Sequence, residues 1–588
     1  MTVSERLNAL RERMQEQGIA ALVVPTADPH GSEYLSEHDQ IRRYLSGFTG
    51  SAGTLVVHHK GAALFTDGRY FIQAQRQLAG SGIELMRMRC EGVPTLTEYL
   101  CTMPGSVGVD FELISEAERR MFEDALSGAG LKLCDAGALA ASVWQDRPGL
   151  PDGKAFALPE RIAGRSRKEK LADIRAWMHR AGAKGHLVCV LDEIAWLLNI
   201  RGADIKNTPV VRSYLLVRDR DALWFVDPEK VPSAVQAELK EDQVELVPYE
   251  ACRDTLEKAS GPILAAPAKT NAALWQALPS VAEGENPAFL LKCIKNETEI
   301  AHLRDCHERD GAALTRLMYW LKTSEEPMTE CSVQEKLLAL RAEQKDFLGP
   351  SFDTICAYGE NGAMMHYKAT EESDARIERK GFLLIDSGGQ YLDGTTDVTR
   401  TFAMGPLTQE EKKHFTAVLQ AVINLASAKF LSGMAGKGLD ILARGPIWRL
   451  GLDYRCGTGH GVGFLLCVHE GPNSFRWHES AARGEETVLV PGMVTTDEPG
   501  IYLEGRYGIR TENELVCIPL EKNEYGQFLG FETITYAPVD LDAVLAEELT
   551  TAQREWLNAY HETVRARLMP YMQGEKEQAW LVQATRAL

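Results

Sequence analysis

Residues 385–397, with the sequence IDSGGQYLDGTTD, decide the fold that we predict for this chain. The apolar run at 382–385 is typical of a buried strand, and the Ser-Gly-Gly that follows Asp386 is typical of a turn. Residues 395–402 alternate and are rich in β-branched side chains, which indicates a returning strand. We therefore expect a hairpin in which the carboxylates of Asp386 and Asp397 face each other.

Three later segments carry further side chains of the same chemical kind. They are GTGHGVG at 457–463, TDEPG at 496–500 and RTENE at 510–514, and they add His460, Glu498 and Glu512. The glycines around His460 are expected to let the backbone pass close to a metal ion or substrate, and residues 509–516 are predicted to form one strand that carries Glu512. A set of oxygen donors with a single nitrogen suits hard or borderline divalent ions such as manganese. Each acidic residue alone is more often a cap or a solvated side chain, but the ordered set of five predicts a site for two divalent ions, whose charge would balance the four carboxylates.

These motifs resemble those of the pita-bread metallopeptidases, and within them the long, three-domain, cytosolic form of aminopeptidase P, the Xaa-Pro aminopeptidases. The resemblance rests on DSG at Asp386, DVTRT at Asp397, GTGHGVG around His460, VHEGP around His469, TDEPG around Glu498 and GIRTEN around Glu512. It implies an α/β (α+β) chain, with two related creatinase-N-like α/β modules followed by a pita-bread catalytic domain.

The resemblance also implies which metal each residue binds. Asp386 and Asp397 would chelate one ion, and Asp397 would also reach the other. His460 and Glu498 would complete the second site, and Glu512 would bridge both ions. The cofactors would be two divalent metal ions, with Mn²⁺ favoured and Zn²⁺ or Co²⁺ as alternatives.

Four residues are candidates for contact with the substrate or for proton transfer. Glu498 is our choice for the carboxylate that takes a proton from the attacking water and passes it to the departing nitrogen. His366, in NGAMMHY at 361–367, and His469 match positions that line the family's substrate pocket, where an imidazole stabilises the developing oxyanion. Arg510 is predicted to bind substrate and to pair with an acidic ligand, since it lies two residues before Glu512.

The activity that the resemblance implies is hydrolysis of the N-terminal Xaa-Pro bond of peptides. A prolidase-type dipeptidase shares the five-residue pattern and is the alternative within enzymes, although the chain length and the duplicated module favour the long aminopeptidase. A pita-bread domain that has lost catalysis and binds peptides or proteins is a further alternative. Cys456 stands where some aminopeptidases P have a histidine, a difference that predicts altered substrate affinity or metal preference without loss of a metal ligand.

The chain before the catalytic segments contains one module twice. Residues 18–28 match 182–192, and ALFTD at 63–67 matches ALWFVD at 222–227. We expect modules at 1–147 and 160–288, a catalytic domain at 289–524 and a C-terminal extension at 525–588. A helix is predicted to begin after the N-cap Asn296, with Glu299 completing a capping box, and another over 550–568, where Trp556, Tyr560, Val564 and Leu568 recur every four residues.

Composition excludes several classes of protein. The 588 residues contain 64 basic and 83 acidic side chains, so the formal net charge is −19, which opposes binding to nucleic acid or to an anionic membrane. The start of the chain lacks a signal-peptide pattern, and no apolar run is long enough to cross a bilayer. The 12 cysteines are scattered, which favours a cytoplasmic protein. The resemblance further implies a homodimer.

Overall fold

The structure is a computed structural model, and it describes residues 1–478 and 487–588. It divides into two compact units, Met1–Glu160 with Arg165–Ala288 and Arg161–Gly164 with Phe289–Leu588. The mixed α/β class predicted from the sequence is confirmed. The four domain boundaries stay predictions, and the two N-terminal modules belong to a single compact unit.

The first unit contains two six-stranded open sheets and a small two-stranded sheet. Its strands are β1 Ala21–Pro25, β2 Thr54–His58, β3 Gly61–Thr66, β4 Ile83–Arg87, β5 Val107–Val109, β6 Leu133–Asp135, β7 Phe156–Ala157, β8 Gly185–Val188, β9 Ile200–Arg201, β10 Tyr214–Arg218, β11 Ala222–Phe225, β12 Val244–Val247, β13 Ile263–Ala265 and β14 Val281–Glu283. Helices up to residue 292 are α1 Val3–Glu16, α2 Ile41–Ser46, α3 Phe71–Gln77, α4 Leu96–Leu100, α5 Glu116–Gly128, α6 Glu160–Ala163, α7 Arg167–Arg180, α8 Leu191–Leu198, α9 Ser233–Glu241, α10 Cys252–Glu257, α11 Ala272–Ala277 and α12 Pro287–Lys292.

The two sheets have the same topology, which confirms the predicted duplication. Their strand orders are β4-β3-β2-β1-β5-β6 and β12-β11-β10-β8-β13-β14. In the first sheet, β1 pairs antiparallel with β2 and parallel with β5. In the second, β8 pairs antiparallel with β10 and parallel with β13. The matched sequences therefore occupy matched places, β1 with β8 and β3 with β11.

The second unit carries the catalytic segments. Its strands are β15 Met328–Thr329, β16 Phe347–Pro350, β17 Ile355–Tyr358, β18 Arg376–Ile377, β19 Phe382–Ser387, β20 Gly389–Tyr391, β21 Gly394–Thr395, β22 Val398–Ala403, β23 Phe430–Leu431, β24 Gly459–Gly461, β25 Glu470–Phe475, β26 Val494–Asp497, β27 Gly500–Leu503, β28 Tyr507–Arg510, β29 Asn513–Asn523 and β30 Gly526–Thr533. The remaining helices are α13 Glu297–Thr323, α14 Glu330–Ala342, α15 Gln409–Ala426, α16 Gly436–Trp448, α17 Thr551–Leu568 and α18 Gly574–Ala584.

The five predicted ligands lie on, or directly beside, strands of two sheets, with strand orders β17-β19-β22 and β23-β30-β29-β26-β24-β25. Both helices predicted here are confirmed, since Asn296 and Glu299 form the capping box of α13 and α17 covers residues 551–568. Within the described part of the chain, no helix is both long and apolar enough to span a membrane.

The single strand expected over residues 509–516 is wrong. β28 ends at Arg510 and pairs with β27, whereas β29 begins at Asn513 and pairs with β26. The break has a physical cause, because the Glu512 N–H donates to the carbonyl of Thr399 at 3.0 Å and the Glu512 carbonyl accepts from Arg400 at 2.6 Å. The peptide of Glu512 therefore bonds across to β22 instead of continuing the ladder.

Candidate metal centre

Two paired strands bring Asp386 and Asp397 together. β19 and β22 are antiparallel, with Asp386 opposite Thr399, and Asp397 directly precedes β22. The hairpin predicted from the sequence is present, with a smaller hairpin of β20 and β21 inserted between its two strands. Both aspartates thus lie at the same end of the β19–β22 pair, and both are buried.

His460 is held between two neighbouring strands by the glycines around it. A β-carbon at Gly459 would overlap the carbonyl oxygen of Thr496, and one at Gly461 would press on the carbonyl oxygen of Glu470. The His460 Nδ1 atom lies 2.9 Å from the Gly461 carbonyl oxygen. Because a carbonyl can only accept, Nδ1 carries the proton and Nε2 keeps its lone pair for a metal ion.

The remaining two carboxylates belong to Glu498, which directly follows β26, and to Glu512, which lies between β28 and β29. Glu498 Oε1 and Asp397 Oδ2 each lie 3.5 Å from His460 Nε2. Glu498 is fixed at its backbone, where its N–H donates to the Thr458 carbonyl at 2.8 Å. Glu512 is fixed at its side chain, where Oε2 accepts from Thr399 Oγ1 at 2.7 Å.

The arrangement fits a divalent cation by its donor chemistry. Asp397, His460 and Glu512 each offer a ligand atom, and these atoms all lie within 4.8 Å of one another. Burial and Glu512 raise the pKa of Asp397 well above its ordinary value, and burial and Asp386 do the same for the pKa of Glu512. Asp386 Oδ1 is buried without a hydrogen-bond partner among the described residues. Ionised carboxylates this close together repel one another, and a bound cation would stabilise them.

Arg510 supplies positive charge next to this cluster. Its Nη2 forms an ion pair with Asp386 Oδ2, as predicted, and its Nε donates to Thr399 Oγ1 at 3.1 Å. Nη1 donates to the Tyr502 hydroxyl at 2.7 Å. Arg510 is buried, and its guanidinium is occupied by contacts with Asp386, Thr399 and Tyr502. Its predicted contact with substrate stays a prediction, whereas its contact with Asp386 is part of the site as it stands.

A buried pair behind Asp397 was not found from the sequence. The Asp397 N–H donates to Glu514 Oε1 at 2.7 Å, and the same oxygen lies 3.1 Å from His307 Nε2. Burial alone would lower the pKa of His307, but Glu514 raises that pKa well above its ordinary value. His307 Nδ1 lies 2.7 Å from the carbonyl of Leu303. An ionised imidazole therefore fits between two acceptors, and Glu514 is a support for Asp397 and not one of the five predicted ligands.

The two histidines predicted to face substrate lie at the edge of the cluster. The ring of His469 packs edge-on against that of His460, with centroids 4.3 Å apart. His366 follows Met365, whose carbonyl accepts from Arg510 Nη2 at 3.4 Å. Both histidines and Glu498 are half-buried, whereas Asp386, Asp397, His460 and Glu512 are 8%, 4%, 7% and 1% exposed. Of the residues predicted to meet substrate, the two histidines and Glu498 are therefore the more accessible ones, whereas Arg510 is buried.

Family models match nearly the whole chain. The model for metallopeptidase family M24 matches residues 301–519, and the model for the C-terminal region of that family matches 527–588. Two models for the creatinase/prolidase N-terminal domain match 6–143 and 146–299. These matches confirm the predicted order of two N-terminal modules and a pita-bread domain.

Individual relatives match over nearly their full length. Proteins named probable Xaa-Pro aminopeptidase P from Aspergillus flavus and Fusarium vanettenii are 38% and 39% identical, over 100% and 99% of this chain and 93% and 98% of their own. The crystal structure of X-prolyl aminopeptidase from Caenorhabditis elegans, described as a cytosolic enzyme with a di-nuclear active site, is 32% identical with a TM-score of 0.95, and each chain is covered completely. With its metal-ligand chemistry, its fold and these full-length similarities, this chain belongs to metallopeptidase family M24, among the Xaa-Pro aminopeptidase P proteins.

Proposed function

We propose that this protein is a metal-dependent Xaa-Pro aminopeptidase, which releases the first amino acid from peptides with proline in second position. The observation that carries the proposal is the buried cluster of Asp397, His460 and Glu512, with Asp386 and Glu498 beside it. Full-length similarity to Xaa-Pro aminopeptidase P proteins supports the specificity for proline.

The proposed cofactors are two divalent cations, with Mn²⁺ first and Zn²⁺ or Co²⁺ as alternatives. Asp386, Asp397, His460, Glu498 and Glu512 would hold them. Bound there, the cations would polarise the scissile carbonyl and lower the pKa of a water molecule, so that water becomes a nucleophile near neutral pH. Four carboxylates lie beside the guanidinium of Arg510, and this excess of acidic groups supports binding of more than one dication.

Glu498 is the residue proposed to carry the proton. Its Oε1 is 3.5 Å from His460 Nε2 and its side chain is 21% exposed, so one face meets the cluster while the other is accessible. Burial raises the pKa of Glu498 above its ordinary value, which improves its ability to hold a proton between two steps. Glu498 would accept the proton from the attacking water and donate it to the departing nitrogen.

The departing proline nitrogen requires this proton transfer. The nitrogen of an Xaa-Pro bond has no hydrogen, and it must be protonated as the bond breaks. His366 and His469 are proposed to donate hydrogen bonds to the carbonyl oxygen as negative charge develops on it. One donor of this kind contributes about 2.7 to 4 kcal/mol. The contact between the His469 and His460 rings would fix the position of the donor relative to the metal site.

The experiment that tests the function uses metal-stripped protein and two tripeptides. Release of arginine from Arg-Pro-Pro, restored by Mn²⁺ and absent with Arg-Ala-Ala, is the expected result. Cleavage of both peptides would indicate a general aminopeptidase. Cleavage of the dipeptide Arg-Pro alone would indicate a prolidase-type enzyme. Cleavage of none of the three, by protein shown calorimetrically to bind two metal ions, would indicate a peptide-binding module.

Assembly and location are proposed from the same resemblance. We expect a homodimer, measured by light scattering on the metal-loaded protein. A cytoplasmic location is supported by the scattered cysteines and by the description of the Caenorhabditis elegans enzyme as cytosolic. Replacing Cys456 with His should change substrate affinity or metal preference and leave metal stoichiometry the same.

A further inference from the structure

Arg400 is a buried cation between the strand break at Glu512 and the C-terminal helix α17. Its Nη1 donates to the carbonyls of Thr399 at 2.8 Å and Glu512 at 2.6 Å. Its Nη2 donates to Asn513 Oδ1 at 2.8 Å and to the Tyr560 hydroxyl at 2.8 Å. The side chain is fully buried, so the direction of each donor is fixed by the oxygen that it meets.

No carboxylate forms an ion pair with Arg400 in residues 1–478 and 487–588. Its acceptors in this part of the chain are all neutral oxygens, and a buried guanidinium with neutral partners depends on having each N–H satisfied. Nη2 carries two N–H groups and meets three acceptors, the Tyr560 hydroxyl, Asn513 Oδ1 and the Ala537 carbonyl, so loss of the Tyr560 hydroxyl would let the guanidinium turn toward the other two. Because Nη1 of the same planar group donates to the Glu512 carbonyl, that turn would move the backbone that carries the Glu512 carboxylate.

Tyr560 is the residue by which α17 reaches this guanidinium. Its hydroxyl accepts from Arg400 Nη2 and lies within 2.8 Å of the Ala537 carbonyl and 3.0 Å of the Thr535 carbonyl. The next residue, His561, accepts from the Val539 N–H through Nε2 at 3.1 Å. Burial, reinforced by Arg400, lowers the pKa of His561 to about 3, so its ring is neutral and can accept.

The segment at 534–540 explains why a tyrosine is needed there. It has no regular secondary structure, and its backbone groups therefore lack ladder partners. Arg400 donates to two of its carbonyls, Ala537 at 2.9 Å and Pro538 at 3.1 Å. The Tyr560 hydroxyl meets both this segment and the guanidinium, so a single oxygen connects the C-terminal helix to the strand pair of the metal site.

We propose that Tyr560, acting through Arg400, is a positioning residue for Glu512, so that the C-terminal extension forms part of the support of the metal centre. The proposal rests on the proposed function, in which Glu512 is a metal ligand. It predicts that removal of the Tyr560 hydroxyl weakens metal binding, although the hydroxyl contacts neither the metal ligands nor substrate.

The test measures Mn²⁺ affinity by calorimetry for metal-stripped wild type, Tyr560→Phe and Tyr571→Phe. Tyr571→Phe is the matched control, because its hydroxyl also connects the C-terminal region to the catalytic domain, through Glu308 Oε2 at 3.4 Å, without touching Arg400. Residues that orient metal ligands typically change affinity about 10- to 100-fold when replaced. Since Tyr560 acts through a second residue, we expect roughly a tenfold loss for Tyr560→Phe and none for Tyr571→Phe.

A second readout separates this role from general loosening of the fold. At saturating Mn²⁺, Tyr560→Phe should regain most of its kcat on Arg-Pro-Pro, with KM unchanged. Mn²⁺ affinity equal to that of wild type, or an equal loss in both tyrosine variants, would overturn the proposal. If Tyr560→Phe does not fold, the alternative variant is Trp556→Leu, which removes the ring stacked on Tyr560 with centroids 5.3 Å apart. This variant should also weaken Mn²⁺ binding, and unchanged binding would overturn the proposal. Calorimetry does not depend on peptide cleavage, so an inactive wild type that binds Mn²⁺ would refute the proposed function and leave this inference testable.

Discussion

Replacing Thr399 with valine should weaken metal binding without unfolding the protein. The hydroxyl of this buried residue donates to Glu512 Oε2 at 2.7 Å and accepts from Arg510 Nε at 3.1 Å. It thereby fixes two groups of the site at once, a predicted metal ligand and the arginine that pairs with Asp386. Valine keeps the shape of the side chain and removes both hydrogen bonds.

The magnitude follows from the charge of the acceptor. A hydrogen bond to an ionised group contributes about 1.5 to 3 kcal/mol, and the bond to the Glu512 carboxylate is the one that orients a ligand atom. Its loss corresponds to about 10- to 150-fold in affinity, because each 1.4 kcal/mol is about tenfold. Loss of the hydrogen bond from Arg510 lowers the stability of the fold, which a measurement of metal affinity does not report.

Thr401→Val provides a matched control on the same strand. The Thr401 hydroxyl is also buried and also makes two hydrogen bonds, donating to the Arg510 carbonyl at 2.8 Å and accepting from the Arg510 N–H at 3.1 Å. It touches no carboxylate of the site in these contacts. The assay is Mn²⁺ calorimetry on both metal-stripped variants, with thermal unfolding as the measure of stability. Similar losses of stability but unequal losses of affinity are expected, and equal Mn²⁺ affinities in Thr399→Val and Thr401→Val would refute the reasoning.

Three further predictions concern the ligands, the oxyanion donor and pH. Glu512→Ala should abolish cleavage of Arg-Pro-Pro and reduce the number of Mn²⁺ ions bound, and a variant that still binds two ions would contradict its role. His469→Gln should lower kcat about 100- to 1,000-fold while calorimetry shows Mn²⁺ binding unchanged; a loss of binding instead would make it a support of His460. Burial and neighbouring carboxylates raise the pKa of Asp397 and Glu512 in the folded, metal-free protein. At pH values above the ordinary carboxyl pKa of about 4, the folded protein therefore binds more protons than the unfolded chain. Its stability should fall as pH rises through the raised values, and the increase in Tm on adding Mn²⁺ should therefore be larger at about pH 8 than at about pH 5.5; an increase that shrinks with pH would have the wrong sign.

Much of this site could be predicted because its predicted ligand residues lie in short sequence motifs. Asp386 and Asp397 belong to adjacent strands with turn residues between them, and local patterns of that kind can be read without knowing the rest of the fold. The glycines beside His460 were also informative, although their reason is different from the one expected. They allow close approach of neighbouring strands, and not only approach of a metal or substrate.

The supports of the ligands could not be predicted, because they come from distant parts of the chain. Glu514 lies 117 positions from the Asp397 N–H that it accepts, and Tyr560 lies 160 positions from Arg400. Nothing in the local sequence of Arg400 shows that its side chain bonds to the backbone of Glu512. The strand break at Glu512 was missed for the same reason, since residues 509–516 have the composition of one strand and only the contact with β22 interrupts it.

The exposure of each residue of the site agrees with the role proposed for it, with the metal ligands Asp397 and Glu512 buried and the proton carrier Glu498 half-buried. Asp397 and Glu512 are buried and held in place, Asp397 by its backbone N–H, which donates to Glu514, and Glu512 by the Thr399 hydroxyl, so few solvent molecules are available to screen the repulsion between the two carboxylates. That repulsion is unfavourable in the metal-free protein, and it is what would make cation binding favourable. Glu498 needs the opposite environment, because a group that accepts and releases protons must exchange them with water and substrate. Its partial exposure beside a buried cluster would therefore let Glu498 move protons while the neighbouring proposed ligands stay ionised and hold the cations.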